Sequence, residues 1–281
     1  MPAIRLGLIG DNIAASRSPA LHRLAGQICG LDVGYDLLVP RTLGLDFEAT
    51  FDRARADGYR GLNITFPYKE RVLPRVTINK SIDRAIAACN TVSFEPAGAI
   101  GTNTDYTGFL DTYRANFSDS EPGRVAMAGC GGVGKAIGFA LAALGAKALS
   151  LFDADRTKAD ELARALSGVH RALDVQVAGS IEQACENADG FVNCTPLGMV
   201  GYGGSAFPND VLGKGSWAFD AVYTPIDTPF LVGARAAGLL TMSGYELLLY
   251  QGIACFRVFT GHAIDAVELR RALAEVDAGS P

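Results

Sequence analysis

The chain has no run of the ~20 apolar residues that a membrane-crossing helix requires, and its start, MPAIRLGLIGDN, lacks the basic-then-apolar pattern of an export signal. A cytosolic protein without a membrane partner is therefore expected. Its six cysteines, Cys29, Cys89, Cys130, Cys185, Cys194 and Cys255, contain no Cys-x-x-Cys pair, which argues for buried reduced thiols rather than disulfides or zinc. The three histidines, His22, His170 and His262, are far apart and lack ligand spacing, so no metal site is expected. Basic residues are short too: 25 Lys and Arg against 30 Asp and Glu leave a formal net charge of -5, with no general attraction to nucleic acid. An anionic ligand must be met by local groups. No internal repeat or low-complexity tract is evident.

What the chain has is a glycine-rich turn in a telling setting. Arg124 to Ala128 (RVAMA) reads as a short strand, followed by Gly129-Cys130-Gly131-Gly132-Val133-Gly134. Apolar residues at Val133, Ala136, Ile137, Ala140, Leu141 and Leu144 then repeat at helical spacing, and Gly145 ends the helix. Such glycines permit a sharp turn and close backbone approach to a pyrophosphate, while the helix start offers N–H groups to phosphate oxygens. A second apolar run, Ala148 to Phe152, leads to Asp153, near the position where an acidic side chain meets the ribose hydroxyls. The pattern points to a dinucleotide-binding domain and a nicotinamide-dependent oxidoreductase.

At 281 residues, 49% hydrophobic and 20% charged, the chain has room for two domains. Before the glycine turn, strand and helix signals alternate: Ile4 to Ile9, Pro19 to Ile28, Val33 to Leu38, Leu45 to Ala56 and Leu62 to Thr65. That order predicts an α/β layer with a mainly parallel sheet. Two strand-like pieces, Thr91 to Phe94 and Ala99 to Gly101, flank a turn, a connecting helix spans Asp105 to Asn116, and the polar stretch Ser118 to Gly123 looks like a boundary. Later strands are expected at Gly190 to Asn193, Trp217 to Ala221 and Leu239 to Met242. Tyr245 to Phe259 is apolar nearly all round and must be buried, which suggests that the C-terminal helices return to the first domain. The expected fold is thus a two-domain α/β chain: a substrate domain of residues 1–117 and 244–281, and a Rossmann-type domain of residues 118–243.

Hydride transfer at an alcohol leaves a proton to be moved by a positioned acid or base. Three polar clusters interrupt the apolar pattern of the first domain at strand ends: Ser16-Arg17-Ser18-Pro19, Asn63 to Lys69, and Asn103-Thr104-Asp105. Each has a plain alternative. Ser16 and Ser18 could cap a helix that starts at Pro19, Lys69 could be a solvated surface lysine, and Asp105 could be an N-cap.

The segments SRSPALH (Ser16 to His22), GLNITFPYK (Gly61 to Lys69), CNTV (Cys89 to Val92), GTNTDYTGF (Gly101 to Phe109), GCGGVGKA (Gly129 to Ala136), NCTPLGM (Asn193 to Met199), DAVYTP (Asp220 to Pro225) and Gly244 to Gln251 together resemble the shikimate dehydrogenase family, including its quinate/shikimate branch. The resemblance runs from Leu8 to nearly the end of the chain. It implies Lys69 and Asp105 as a catalytic pair, Ser16 and Ser18 on the substrate carboxylate, Asn63, Thr65, Asn90, Asp105 and Gln251 around the ring hydroxyls, and Tyr223 beside the carboxylate end. It implies Gly129, Gly131, Gly132, Val133, Gly134, Asp153, Arg156, Lys158, Thr195, Pro196, Ala221 and Gly244 at the cofactor. The partner would be a small hydroxy or keto acid, and the protein a monomer or homodimer. Either Lys69 exchanges the proton, or Asp105 accepts it while Lys69 orients.

Three departures from the family pattern bear on specificity. Where many members carry Asn-Arg-Thr for the 2′-phosphate of NADP, this chain reads Asp153-Ala154-Asp155-Arg156-Thr157-Lys158, so NAD is expected over NADP. Tyr68 stands where a histidine is common, and Glu246-Leu247 replaces a hydrophobic-Met pair. Shikimate is the expected principal substrate, with quinate or an amino analogue open. A non-catalytic metabolite or dinucleotide sensor on the same fold is the alternative.

Overall fold

The computed structural model describes residues 4–118 and 120–278; residues 1–3, 119 and 279–281 of the expected domain ranges lie outside the described residues. Backbone contacts divide the chain into two compact units, Met1–Gly108 with Leu248–Pro281, and Phe109–Leu247. Both divisions fall inside helices, α5 (Thr104–Phe117) and α10 (Gly244–Thr260).

The first unit holds strands β1 (Ile4–Ile9), β2 (Val33–Leu38), β3 (Gly61–Ile64), β4 (Thr77–Ile78), β5 (Thr91–Glu95) and β6 (Gly98–Thr102), in the order β2-β1-β3-β5-β6-β4. The sheet is mainly parallel, as expected, with one reversed strand. β1 pairs parallel with β2 and β3, and β4 with β6, but β5 runs antiparallel to both β3 and β6. The tight turn between Glu95 and Gly98, where Gly98 has φ 136°, joins β5 to β6 as a hairpin. Helices α1 (Ser18–Ile28), α2 (Pro40–Leu43), α3 (Phe47–Ala56) and α4 (Ser81–Ile86) complete the N-terminal portion. Phe47, Phe51, Leu62, Ile64, Tyr68 and Val92 are in its core.

The C-terminal part packs onto this sheet. A Cβ at Gly61 would stand 2.4 Å from the ring of Phe259, and one at Gly252 would stand 2.6 Å from Leu21. Only glycine permits β3 and α1 to lie so close to α10. In the last helix, α11 (Ala266–Ala278), Leu269 and Leu273 are buried.

In the second unit, β7 (Arg124–Ala128), β8 (Ala148–Phe152), β9 (Asp174–Val177), β10 (Gly190–Asn193), β11 (Trp217–Asp220) and β12 (Leu240–Ser243) form an all-parallel sheet in the order β12-β11-β10-β7-β8-β9. Read from β9, that is the 3-2-1-4-5-6 order of a doubly wound dinucleotide fold. The helices are α6 (Gly132–Ala143), α7 (Arg156–Val169), α8 (Ile181–Ala184) and α9 (Pro229–Ala236). Strands β10 and β11 are buried at every position, as expected of a parallel sheet with both faces covered. The order reverses between β7 and β10, and ligands in this fold bind beyond the carboxyl ends of strands at that point.

Candidate active site

The glycine turn leads from β7 into α6 at the reversal point, and its three motif glycines do three different things. Gly129 has φ 93°, and a Cβ there would lie 2.6 Å from the backbone of Cys194. At Gly134 a Cβ would lie 2.1 Å from Gly129 O. Gly131, the N-cap of α6, has nothing within 4 Å of a Cβ position and no side-chain cap hydrogen bond. The first and third glycines therefore close the turn, and the second leaves backbone open to a phosphate. This cradle fits a dinucleotide.

Across the turn stands Asp153, at the end of β8. Its Oδ2 accepts the Cys130 N–H at 2.7 Å and its Oδ1 the Asp155 N–H at 2.9 Å. A carboxylate is thus fixed beside the glycine loop. Arg156 and Lys158 lie in the first turn of α7, and Arg156 is exposed and pairs with Asp160 at 3.7 Å. On the other side of the turn, Asn193 Oδ1 accepts from both the backbone N–H and the hydroxyl of Thr195, at 2.9 and 2.7 Å, and so shapes the loop that carries Pro196. Asn193 in turn donates to Asp220 Oδ1 at 2.9 Å, and Asp220 also accepts from Val222 N and Thr228 Oγ1. Burial raises the Asp220 carboxyl to about 6 against those three donors. Ala221 and Gly244 meet as well: a Cβ at Gly244 would be 2.3 Å from Ala221 O.

The first unit gathers the other predicted residues. Lys69 follows the β3 strand, and its carbonyl accepts the Cys89 N–H at 2.8 Å. Its Nζ donates to Asp105 Oδ2 at 2.6 Å, with the two side chains 15% and 8% exposed. Lys69 is therefore no solvated surface lysine. Asp105 lies in the first turn of α5, where the helix dipole favours a carboxylate, but it does not cap the helix; Asn103 Oδ1 takes the Tyr106 N–H. The second Asp105 oxygen accepts Asn90 Nδ2 at 2.8 Å. Asn90 has its amide orientation set by the Thr104 N–H, which can only donate, to Oδ1 at 2.7 Å.

Ser16 and Ser18 stand at the start of α1, whose N-cap is Arg17 with no side-chain cap hydrogen bond. Ser16 Oγ accepts the Ser18 N–H at 3.3 Å and lies 3.2 Å from Ser18 Oγ, so the two hydroxyls are neighbours rather than helix caps. Thr65 sits where Gly10 lacks a side chain, because a Cβ there would be 2.3 Å from Thr65 Cγ2. Gln251 lies against Gly108, whose Cβ position is 2.6 Å from that of Gln251. Asn63 is buried, and its amide is engaged within the unit: Oδ1 accepts from Tyr35 Oη at 2.9 Å, and Nδ2 faces Asn90 O, Thr91 Oγ1 and Cys255 Sγ. Tyr223 belongs to the second unit, in the segment after β11.

Two features escaped sequence reasoning. Tyr68, noted as a departure, donates to Asp11 Oδ1 at 2.5 Å and stacks on Phe47 at 4.7 Å, and burial and that carboxylate push its hydroxyl up to about 12. The contact fixes the turn carrying Lys69 to the end of β1. Cys255 also faces the Asn63, Thr91 and Thr104 side chains. Its signal was its place four residues after Gln251, hence on the same helix face. Among the described residues no three His, Cys, Asp or Glu side chains converge as metal ligands.

The profile of the shikimate dehydrogenase substrate binding domain matches residues 8–92. A quinate/shikimate dehydrogenase (NAD(+)) of Corynebacterium efficiens is 37% identical over 274 residues, 95% of this chain and 96% of that protein. A shikimate dehydrogenase (NADP(+)) of Streptomyces avermitilis is 36% identical over 277 residues, 96% of this chain and 95% of that one. Among solved structures, a quinate dehydrogenase from Corynebacterium glutamicum in complex with NAD superposes with a TM-score of 0.87 at 35% identity, covering 97% of this chain and 99% of that one. With more than a third of its residues identical to these dehydrogenases over nearly the whole of both chains, and with the same fold, the chain belongs to the shikimate dehydrogenase family.

Proposed function

We propose that this chain is an NAD-dependent dehydrogenase that interconverts shikimate and 3-dehydroshikimate, with quinate and 3-dehydroquinate as a second pair. The observation that carries the reading is the Lys69 Nζ to Asp105 Oδ2 contact of 2.6 Å in a nearly water-free setting. Bound here, NAD would supply the hydride acceptor for oxidation and its reduced form the hydride donor for reduction. Lys69 moves the accompanying proton. Beyond the N–H given to Asp105, Nζ has further N–H groups to offer a substrate oxygen. In reduction the ammonium polarises the carbonyl and protonates the nascent alkoxide; in oxidation the neutral amine accepts the hydroxyl proton. Asp105 orients it.

The neighbouring Ser16 and Ser18 hydroxyls hold the substrate carboxylate beside an uncapped helix start. Thr65, Asn90, Asp105 and Gln251 hold the ring hydroxyls, and Asn63 supports them from beneath. Gly131, Gly132, Val133 and Gly134 receive the pyrophosphate, Thr195, Pro196, Ala221 and Gly244 border the nicotinamide side, and Asp153 accepts from the free ribose hydroxyls and repels a 2′-phosphate. Arg156 and Lys158 flank the adenosine. The relatives are named with NAD in some cases and NADP in others, and the fixed Asp153 carboxylate favours NAD here. The reactants are small diffusible metabolites, so we assign the enzyme to the cytosol, as a monomer or homodimer. A non-catalytic sensor has no support among the relatives named above, which are dehydrogenases.

Lys69→Ala tests the assignment. The expected kcat falls by about a thousandfold, the scale of a lost general acid and base, while calorimetry shows shikimate still bound. An unchanged kcat removes Lys69 from the chemistry.

A further inference from the structure

Cys255 is 0% exposed and sits where four elements meet. Its Sγ is 3.0 Å from Asn63 Nδ2 of β3, 3.1 Å from Thr91 Oγ1 of β5, 3.0 Å from Thr104 Oγ1 of α5 and 3.4 Å from Gln251 Oε1, one turn earlier in α10. Proton bookkeeping assigns the bonds. An amide N–H can only donate, so the sulfur accepts from Asn63. Gln251 Oε1 can only accept, so a bond there takes the single S–H proton, and each threonine hydroxyl can then donate to the sulfur or to Asn90 Oδ1 but not to both. The other end of that amide, Nε2, donates to Leu248 O at 3.2 Å.

The Leu248 carbonyl, which can only accept, fixes the polarity of the Gln251 amide, and the thiol bonds the oxygen that this leaves facing it. The two threonine hydroxyls lead from the sulfur toward the reacting pair. Each lies within 3.1 Å of Asn90 Oδ1, and they are 2.9 Å from one another. Asn90 holds Asp105, and Asp105 holds Lys69. Burial raises the Cys255 pKa, which keeps the S–H proton that the bond to Gln251 needs.

We propose that Cys255 is a positioning residue of this enzyme: its thiol anchors the oxygen of the Gln251 amide and, at hydrogen-bond distance from Thr91 and Thr104, braces the two hydroxyls that face Asn90, the partner of Asp105. The inference rests on the functional reading above, because it gives Gln251 a substrate hydroxyl to hold. It identifies a specificity-determining support that a nonpolar residue of the same volume does not replace.

Three variants and one spectrum decide it. Cys255→Ser keeps a donor and acceptor at distances that suit oxygen, Cys255→Val fills the volume without either, and Cys255→Ala removes both. The expected kcat/KM for shikimate falls about tenfold in the Val and Ala variants, mostly through KM, and Ser restores it to within roughly threefold of wild type. A Val variant as active as wild type means packing alone, and a Ser variant as poor as Ala means that hydrogen bonding does not matter; either result overturns the proposal. The infrared S–H band in the wild-type minus Cys255→Ser difference spectrum reads the bond without turnover, so it also decides the case if Val does not fold. It is expected at the lowered frequency of a hydrogen-bonded thiol and to rise in Gln251→Leu. A band that Gln251→Leu leaves in place overturns the assignment. Wild-type protein that turns over neither shikimate nor quinate defeats the functional reading, while the band still reports the Cys255 bond.

Discussion

At the scale of single residues, side chains gain their roles from what holds them. Asp153 is held by two backbone N–H groups, so its negative charge is fixed beside the glycine loop rather than free to swing away. Asp153→Ser is expected to lower the ratio of kcat/KM for NAD over NADP by about tenfold, roughly the effect of one charge-assisted hydrogen bond. Steady-state kinetics with both cofactors measures it, and an unchanged ratio assigns the discrimination elsewhere. His22 is held differently: it is buried, stacked on Tyr35 at 4.8 Å, and desolvation lowers its pKa to about 3 against a hydrogen bond to Asn63. The unfolded chain takes up a proton near pH 6.5 that the folded chain refuses until about pH 3. Stability from this residue is therefore present above pH 6.5 and is lost as pH falls, by about 1.4 kcal/mol per unit. The stability difference between wild type and His22→Gln, followed by chemical denaturation, should change with that slope. The difference isolates His22 from Asp220, whose raised carboxyl changes stability with pH in the opposite sense.

At the scale of elements, the glycine turn makes a sharp contrast between neighbours. Gly134→Ala puts a methyl 2.1 Å from Gly129 O, so the turn must move, at a cost of about 1–3 kcal/mol. Gly131→Ala meets nothing within 4 Å. Thermal melts should show a lowered Tm for the first and none for the second, while fluorescence titration shows weakened NADH binding for both. This turn was legible in the sequence because its strand, glycines, helix and acid are local and closely spaced. The short pieces were not. β4 has two residues, and β9 is a partly exposed edge strand, so neither has a strong periodic signal. The reversed direction of β5 also escaped, since apolar pattern alone does not encode pairing direction. The Lys69 and Asp105 pair was readable only through the joint motif pattern, as each residue alone suits an ordinary surface or cap. For Cys255 only the spacing from Gln251 is visible in the sequence: Asn63, Thr91 and Thr104 reach it from distant parts of the chain, and only the folded sheet brings them together.

At the scale of the whole molecule, the chain carries two binding units with separate chemistry, one built on a mixed sheet and one on a doubly wound parallel sheet. The family relation covers nearly the whole chain, yet the relatives differ in the cofactor and acid in their names, so substrate and cofactor are the properties that the residues of this chain must decide. On the function proposed above, Lys69 and Asp105 set the reaction type and Asp153 the cofactor. Initial-rate measurement of NAD and NADP reduction, with shikimate and quinate in parallel, tests both together. The account predicts saturable turnover of shikimate with a larger kcat/KM for NAD than for NADP. Binding of either acid with no reduction of either cofactor would contradict it.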